Sequence, residues 1–278
     1  MKIKRSCKAS TTVDGAKKSK RRRKSKKSSS VALYIATAVF GAVFLFSGYK
    51  IVSTLVEYRQ AANEFDGLKA SYITEGGKTE SGETGYLKID EAALTARNSD
   101  YIGWIDIPNT KISYPVLYAY DYYQYLRTSF DGEYSICGSL FTDYQCEKDW
   151  SSRNTIIYGH RMNDGSMFGT LKNYLGQSYF DAHSEIRIYD GDFIAIYQPF
   201  AAYEAIAGDR SYTVNFSDDD SFIDWAQYVK GQSIVSSDVT IEGDDKVILL
   251  STCKGGDNND RIVVVAVLTG YESVKEKV

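Results

Sequence analysis

The sequence predicts a mainly β domain, an antiparallel sheet or barrel with a few added helices, carried behind one N-terminal transmembrane helix. Three observations predict it. A strongly basic head is followed by VALYIATAVFGAVFLFSGY (31–49), nineteen residues without a formal charge. Short runs rich in Ile, Val, Tyr and Phe then fill the chain from Tyr101 onward. Few helical stretches separate these runs, which favours neighbouring antiparallel strands over a doubly wound α/β sheet.

The elements follow in order. Residues 1–30 hold 13 Lys/Arg and one acid, Asp14, whereas the rest of the 278-residue chain holds 20 bases and 35 acids. At about 1.5 Å per residue, span 31–49 roughly crosses a hydrocarbon core of about 30 Å. The basic cluster stays in the cytoplasm and the C-terminal part goes outside. A long charged region, a long apolar run and no A-x-A-like site favour an uncleaved signal anchor over a cleaved signal peptide. The basic head therefore reads as a topology signal and not as a nucleic-acid site. The expected organisation is a cytoplasmic tail (1–30), the anchor (31–49), a juxtamembrane helix and linker (50–85) and an exported domain (86–278).

Within 50–75, Ile51, Leu55, Tyr58, Phe65 and Leu68 have helical spacing. GGKTESGETG (76–85) reads as a flexible linker. Asp90 is placed to cap a short helix reaching Asn98. Strands are expected over 101–107, 112–118, 137–143, 154–160, 185–190, 193–200, 201–207, 246–252 and 261–270. Helices are expected over 121–127, 167–175 and 218–230, the last with acids in its first turn and Gly231 past its end.

Composition narrows the chemistry. An apolar content of 43% excludes a disordered chain. The two histidines, His160 and His183, exclude a three-histidine metal site. No C-x-x-C pair, P-loop or dinucleotide fingerprint occurs, so neither a metal nor a cofactor is implied.

KVILLSTCKGGDNNDRIVVVAVL (246–268) is the most informative stretch: two apolar strands flank a polar loop. Cys253 lies where the first strand ends, and Arg261 opens the return strand. If the strands are neighbours, the guanidinium reaches the space above the thiol and stabilises a thiolate or a developing oxyanion. A small core cysteine beside a solvated strand end is the alternative. Asp257 and Asp260, in the same loop, read as hydrated. Cys7 falls in the cytoplasm, while Cys137 and Cys146, nine apart, either pair or stay free. Cys253 is then the leftover thiol, a candidate reactive group. His160 also follows an apolar strand, NTIIYG, whereas His183 reads as a surface residue. A Cys–His pair on adjacent strand ends supports acyl transfer: the thiolate attacks a carbonyl and the imidazolium protonates the leaving amine. With ordinary pKa values of about 8.5 and 6.5, most molecules hold thiol and neutral imidazole near neutrality.

Four segments in this order, IGWIDIPNTKISYPVL (102–117), GSLFTDY (138–144), NTIIYGHRMNDGSMFGTL (154–171) and LLSTC with RIVVV (249–265), resemble the sortases, cysteine transpeptidases of Gram-positive cell surfaces. The Met-Phe-Gly run and the helix at 218–230 are similar to class B. The resemblance implies an eight-stranded β-barrel with additional helices, with Cys253 as nucleophile, His160 as general acid/base and Arg261 as oxyanion or substrate stabiliser. Leu126, Tyr158 and Ser251 match positions lining the family's substrate groove. The implied partners are sorting-signal peptides and, as acceptor, the amine of a peptidoglycan precursor. Tyr122 and Lys254 depart from residues often found in relatives, leaving open an N-P-x-T-N-like or a P-x-T-G-like signal. A pilus-type sortase and an inactive binding module are the alternatives. The first ranks lower because no flap-like segment precedes Tyr101.

Overall fold

The computed structural model describes residues 27–78, 84–255 and 257–273, with the side chains of 27–29, 75, 77, 78, 84, 255, 257 and 258 outside that description. Most of the basic tail and the middle of the expected linker (79–83) lie outside the described residues. Two compact units divide the chain, Met1–Ser53 and Thr54–Val278.

Helix α1 (Lys27–Tyr72) begins in the first unit, where the apolar side chains of 31–49 are exposed. From Ser30 it is long and apolar enough to cross a membrane. Its continuation in the second unit is amphipathic, and Ala61, Phe65 and Leu68 are buried in that unit's core.

Where the linker was expected, strands β1 (Ile73–Lys78) and β2 (Thr84–Ile89) form an antiparallel hairpin with Ile73 opposite Ile89. The polar composition hides this because the hairpin is fastened from a distance. The Arg187 guanidinium lies 4.1 Å from the centre of the buried Tyr86 ring, and the Leu87 N–H donates to the Tyr189 hydroxyl at 3.1 Å. Helix α2 (Glu91–Arg97) follows as expected, its Ala93 N–H donating to Asp90 Oδ1 at 3.0 Å.

Eight strands close the barrel: β3 (Tyr101–Asp106), β4 (Ser113–Tyr118), β5 (Leu140–Thr142), β6 (Asn154–Tyr158), β7 (Ile186–Asp190), β8 (Phe193–Ile206), β9 (Val247–Gly255) and β10 (Asp257–Ser273). The order around it is β10-β8-β7-β3-β4-β5-β6-β9. Pairing is antiparallel except at β4·β5 and β6·β9, which are parallel. The runs 193–200 and 201–207 are one strand. Pro199, without an N–H to give, sits opposite Ala266 where the register shifts, so the ladder is not broken.

The expected helix at 121–127 is absent. Asp121 Oδ1 instead accepts from the N–H groups of Tyr123 and Gln124 at 2.7 and 2.9 Å, a local turn that competes with a helix. The expected helix at 167–175 narrows to a 3-10 turn, Leu171–Leu175, followed by α3 (Gln177–Ala182). Helix α4 (Asp219–Gln232) starts at a capping box of Asp218 and Ser221 and runs through Gly231 instead of stopping before it.

Strand alternation builds two apolar layers. Ile248, Leu250, Val264 and Ala266 belong to the main core that fills the barrel. Val247, Leu249, Val263 and Val265 face the other way, under Phe222, Trp225 and Val229 of α4.

Candidate active site

The site lies on the outer face of the β9–β10 ladder. Cys253 and Arg261 are register partners there, so their side chains share one face. Ser251, two residues earlier, shares it too. That face carries Val247 and Leu249 beneath α4, and Cys253, half-buried, comes where the apolar side chains give out. Strand β6 runs parallel on the far side of β9 with Tyr158 beside Ser251. The chain then leaves the ladder through Gly159, whose N–H donates to the Ser251 carbonyl at 3.1 Å, and His160 follows.

These strands and the connection between β4 and β5, which carries Leu126, set the six residues singled out in the sequence, Leu126, Tyr158, His160, Ser251, Cys253 and Arg261, around one cavity of about 460 Å³. Tyr122, Phe141 and Tyr212 complete much of its aromatic wall.

His160 is held by a backbone group. Its Nε2–H donates to the Leu126 carbonyl at 2.7 Å, which leaves Nδ1 as the basic nitrogen of the neutral ring. Burial pushes the imidazole below its ordinary range. The Leu126 bond opposes that shift, and the charge of Arg127 adds to it. Arg261 Nη1 donates to the Asp260 carbonyl at 3.1 Å. Asp260 does engage a side chain, Lys254, at 3.7 Å, and the same ammonium meets Glu204 at 2.7 Å.

Sequence reasoning missed the polar support beneath this floor. The hydroxyls of Tyr212 and Ser251 share a hydrogen bond of 2.8 Å. The Tyr212 ring stacks on Tyr158 with centroids 6.2 Å apart and planes at 11°. Tyr158 in turn donates its hydroxyl to the buried Asp143 at 2.8 Å. Burial pushes the Tyr212 phenol up to about 12 and Tyr158 higher still, so both stay protonated. Asp143 stood in the GSLFTDY segment, but nothing in the sequence pairs it with Tyr158. Register does, by setting Phe141 of β5 opposite Tyr158 of β6.

The remaining thiols and the second histidine lie apart from this cavity. Among the described residues Cys137, Cys146 and Cys253 are free thiols. Cys137 and Cys146 are buried in different apolar clusters. Burial pushes them up to about 11 and about 12, which makes them poor nucleophiles. His183 caps α3, stacks on Tyr179 at 3.9 Å and donates Nδ1–H to the Tyr179 carbonyl at 2.9 Å.

Comparison with known proteins agrees with this fold. A family model described as Sortase domain matches residues 105–269. The chain is 36% identical over 217 residues to Sortase B of Listeria monocytogenes, covering 78% of this chain and 87% of the relative. It is similar to the structure of a Staphylococcus aureus sortase B–substrate complex, with a TM-score of 0.59 and 33% identity, over 64% of this chain and 83% of that one. A sortase B from B. anthracis in complex with AAEK1 matches with a TM-score of 0.66 and 28% identity, over 80% of this chain and 100% of that one. The chain belongs to the sortase family, within class B. Sortases are cysteine transpeptidases, and this chain is an enzyme of that kind.

Proposed function

We propose that the protein is a membrane-anchored class B sortase that cuts a C-terminal sorting signal after its threonine and transfers the protein to an amine of a peptidoglycan precursor. One observation carries this reading: Cys253, His160 and Arg261 line the same aromatic-walled cavity at the ends of three adjacent strands.

Cys253 Sγ, as thiolate, attacks the threonine carbonyl. Arg261, opposite it in the ladder, stabilises the oxyanion. The His160 imidazolium gives its proton to the leaving amine, so the amide bond breaks as the thioester forms. In the second half His160 takes a proton from the incoming amine, which attacks the thioester and restores the thiolate. Burial favours the neutral imidazole, so the protonated ring is the minor form at rest. Leu126, Tyr158 and Ser251 hold the signal peptide along the wall.

Two further findings support the setting. The basic tail before an apolar helix supports a cytoplasmic N-terminus with the barrel outside. One sortase B structure carries a substrate and another carries triglycine, in keeping with a peptide donor and an amine acceptor.

The test offers the full chain two peptides, one with N-P-x-T-N and one with P-x-T-G, each with and without an oligoglycine or diaminopimelate-type amine. Cleavage after threonine that is diverted to an amine-ligated product, and lost in Cys253→Ala, supports the proposal and identifies the signal. Equal yields with and without amine would mark a plain peptidase, and efficient ligation only to a pilin lysine would mark a pilus-type enzyme.

A further inference from the structure

We propose that Tyr114 is a positioning residue for His160, and that the juxtamembrane part of α1 acts on the histidine through it.

Tyr114 lies on β4, buried between the helix and the loop that follows His160. On the helix side Phe65 meets its ring edge-on, with centroids 5.1 Å apart and planes at 84°. The Lys69 ammonium stands 5.3 Å from the same ring centre. On the loop side the Tyr114 hydroxyl accepts the Met167 N–H at 3.0 Å.

Met167 is an unusual residue to hold. It is 1% exposed and has a φ of 51°, in the left-handed region that a long L side chain enters only under constraint. A buried N–H without an acceptor is costly, so the Tyr114 hydroxyl is part of what keeps Met167 in that conformation. The strained residue adjoins the histidine through the backbone. Met167 pairs with Arg161 across the neck of the loop, and the next residue, Phe168, donates its N–H to the His160 carbonyl at 3.0 Å. The Phe168 ring also packs against Gly159, on the other flank of His160.

The path through Tyr114 is a specific one. A cavity of about 350 Å³ lies between the helix and this loop, lined in part by Phe65, Lys69, Tyr114, Cys137 and Met167. Packing between helix and loop is interrupted there, and the Tyr114 ring and hydroxyl reach across it.

The effect on turnover rests on the acid/base reading of His160, whereas the effect on the histidine's position does not, and the two are read separately. The full chain in detergent is compared with Tyr114→Phe, which keeps the ring and removes only the hydroxyl. The expected results are faster hydrogen exchange at the Met167 amide, displaced NMR signals of the His160 ring, and a fall in kcat/KM of roughly tenfold to a hundredfold, carried mainly by kcat. Tyr174→Phe is the matched control, deleting a buried hydroxyl that donates to the His183 carbonyl at 2.9 Å. It is expected to lower Tm and leave the His160 signals and kcat/KM in place. Phe65→Leu is expected to act in the same direction as Tyr114→Phe and to add little to it in the double variant. Should Tyr114→Phe fail to fold, the same readouts on Phe65→Leu decide. Unmoved His160 signals in Tyr114→Phe, or an equal displacement in Tyr174→Phe, overturns the proposal. Full turnover in His160→Ala would instead overturn the acid/base reading, with the ring signals still deciding the role of Tyr114.

Discussion

Gly159 is the narrowest point behind the site, and Gly159→Ala tests whether the packing there holds His160 in place. A Cβ at 159 would stand 2.3 Å from Leu140 Cδ2 and 2.7 and 2.9 Å from two atoms of the Phe168 ring. Ordinary contact begins near 3.4 Å, so relief of the worst clash requires roughly 1 Å of movement. Leu140 and Phe168 are both 0% exposed and have little room to yield. Overpacking of a dense core costs about 1–3 kcal/mol, or roughly 2–12 °C in Tm for a domain of this size. The larger effect falls on catalysis. His160 is the next residue, and its bond to the Leu126 carbonyl is only 2.7 Å long. A displacement of about 1 Å at a reacting group can cost on the order of a hundredfold in rate. Thermal melting and peptide-ligation kinetics on the same preparation separate the two effects. A variant that melts lower but turns over at the wild-type rate refutes the claim that this packing positions His160. One that melts and turns over like the wild type refutes the packing argument itself.

Other expectations follow from the same residues. Leu68→Ala, in a helix side chain 1% exposed, should destabilise the fold by about 2–5 kcal/mol in denaturant unfolding. A negligible loss would make that part of α1 a mere tether. Burial pushes Glu91 up to about 7, with the Gly191 N–H bond opposing. A raised carboxyl pKa stabilises below the ordinary value and loses that contribution as pH rises through the folded value. Glu91→Gln should therefore raise Tm above neutrality and lose its advantage in mild acid, and a gain that does not depend on pH would contradict this. For His160 the sign runs the other way, because burial lowers its pKa. As pH falls through the ordinary value of about 6.5 the unfolded chain takes the proton first, so stability declines towards the lower folded value. Relative to His160→Gln, the wild type should lose Tm over that interval, and parallel curves would count against a buried neutral imidazole.

The residues that line the candidate site were more legible than their support, for a physical reason. Cys253, Arg261 and His160 stand at the ends of strongly apolar strands, and such ends advertise themselves as breaks in hydrophobic runs. The partner of His160 did not, because it is the carbonyl of Leu126 and a backbone acceptor has no sequence signature. Tyr212 was missed for a related reason. Its hydroxyl meets Ser251 from the connection after β8, which the β8·β10·β9 pairing brings alongside, and no local pattern encodes that contact. The hairpin in the expected linker shows tertiary contact overriding a polar composition, since Arg187 and Tyr189 hold it from β7. At 121–127 the competition was local, and the Asp121 side chain won it from the helix. Phe65 and Leu68 were legible as one face of a helix, but which surface that face covers emerges only from the closed barrel.

The central claim is that Cys253 forms a thioacyl bond with its substrate. The direct measurement is the intact mass of the full chain, quenched in acid during turnover of a cleaved sorting-signal peptide without added amine, followed by digestion to locate the adduct. The account predicts one added acyl fragment ending in threonine, on the peptide bearing Cys253, discharged by an amine and absent in Cys253→Ala. An adduct on Cys137 or Cys146, or turnover that persists in Cys253→Ala, would contradict it.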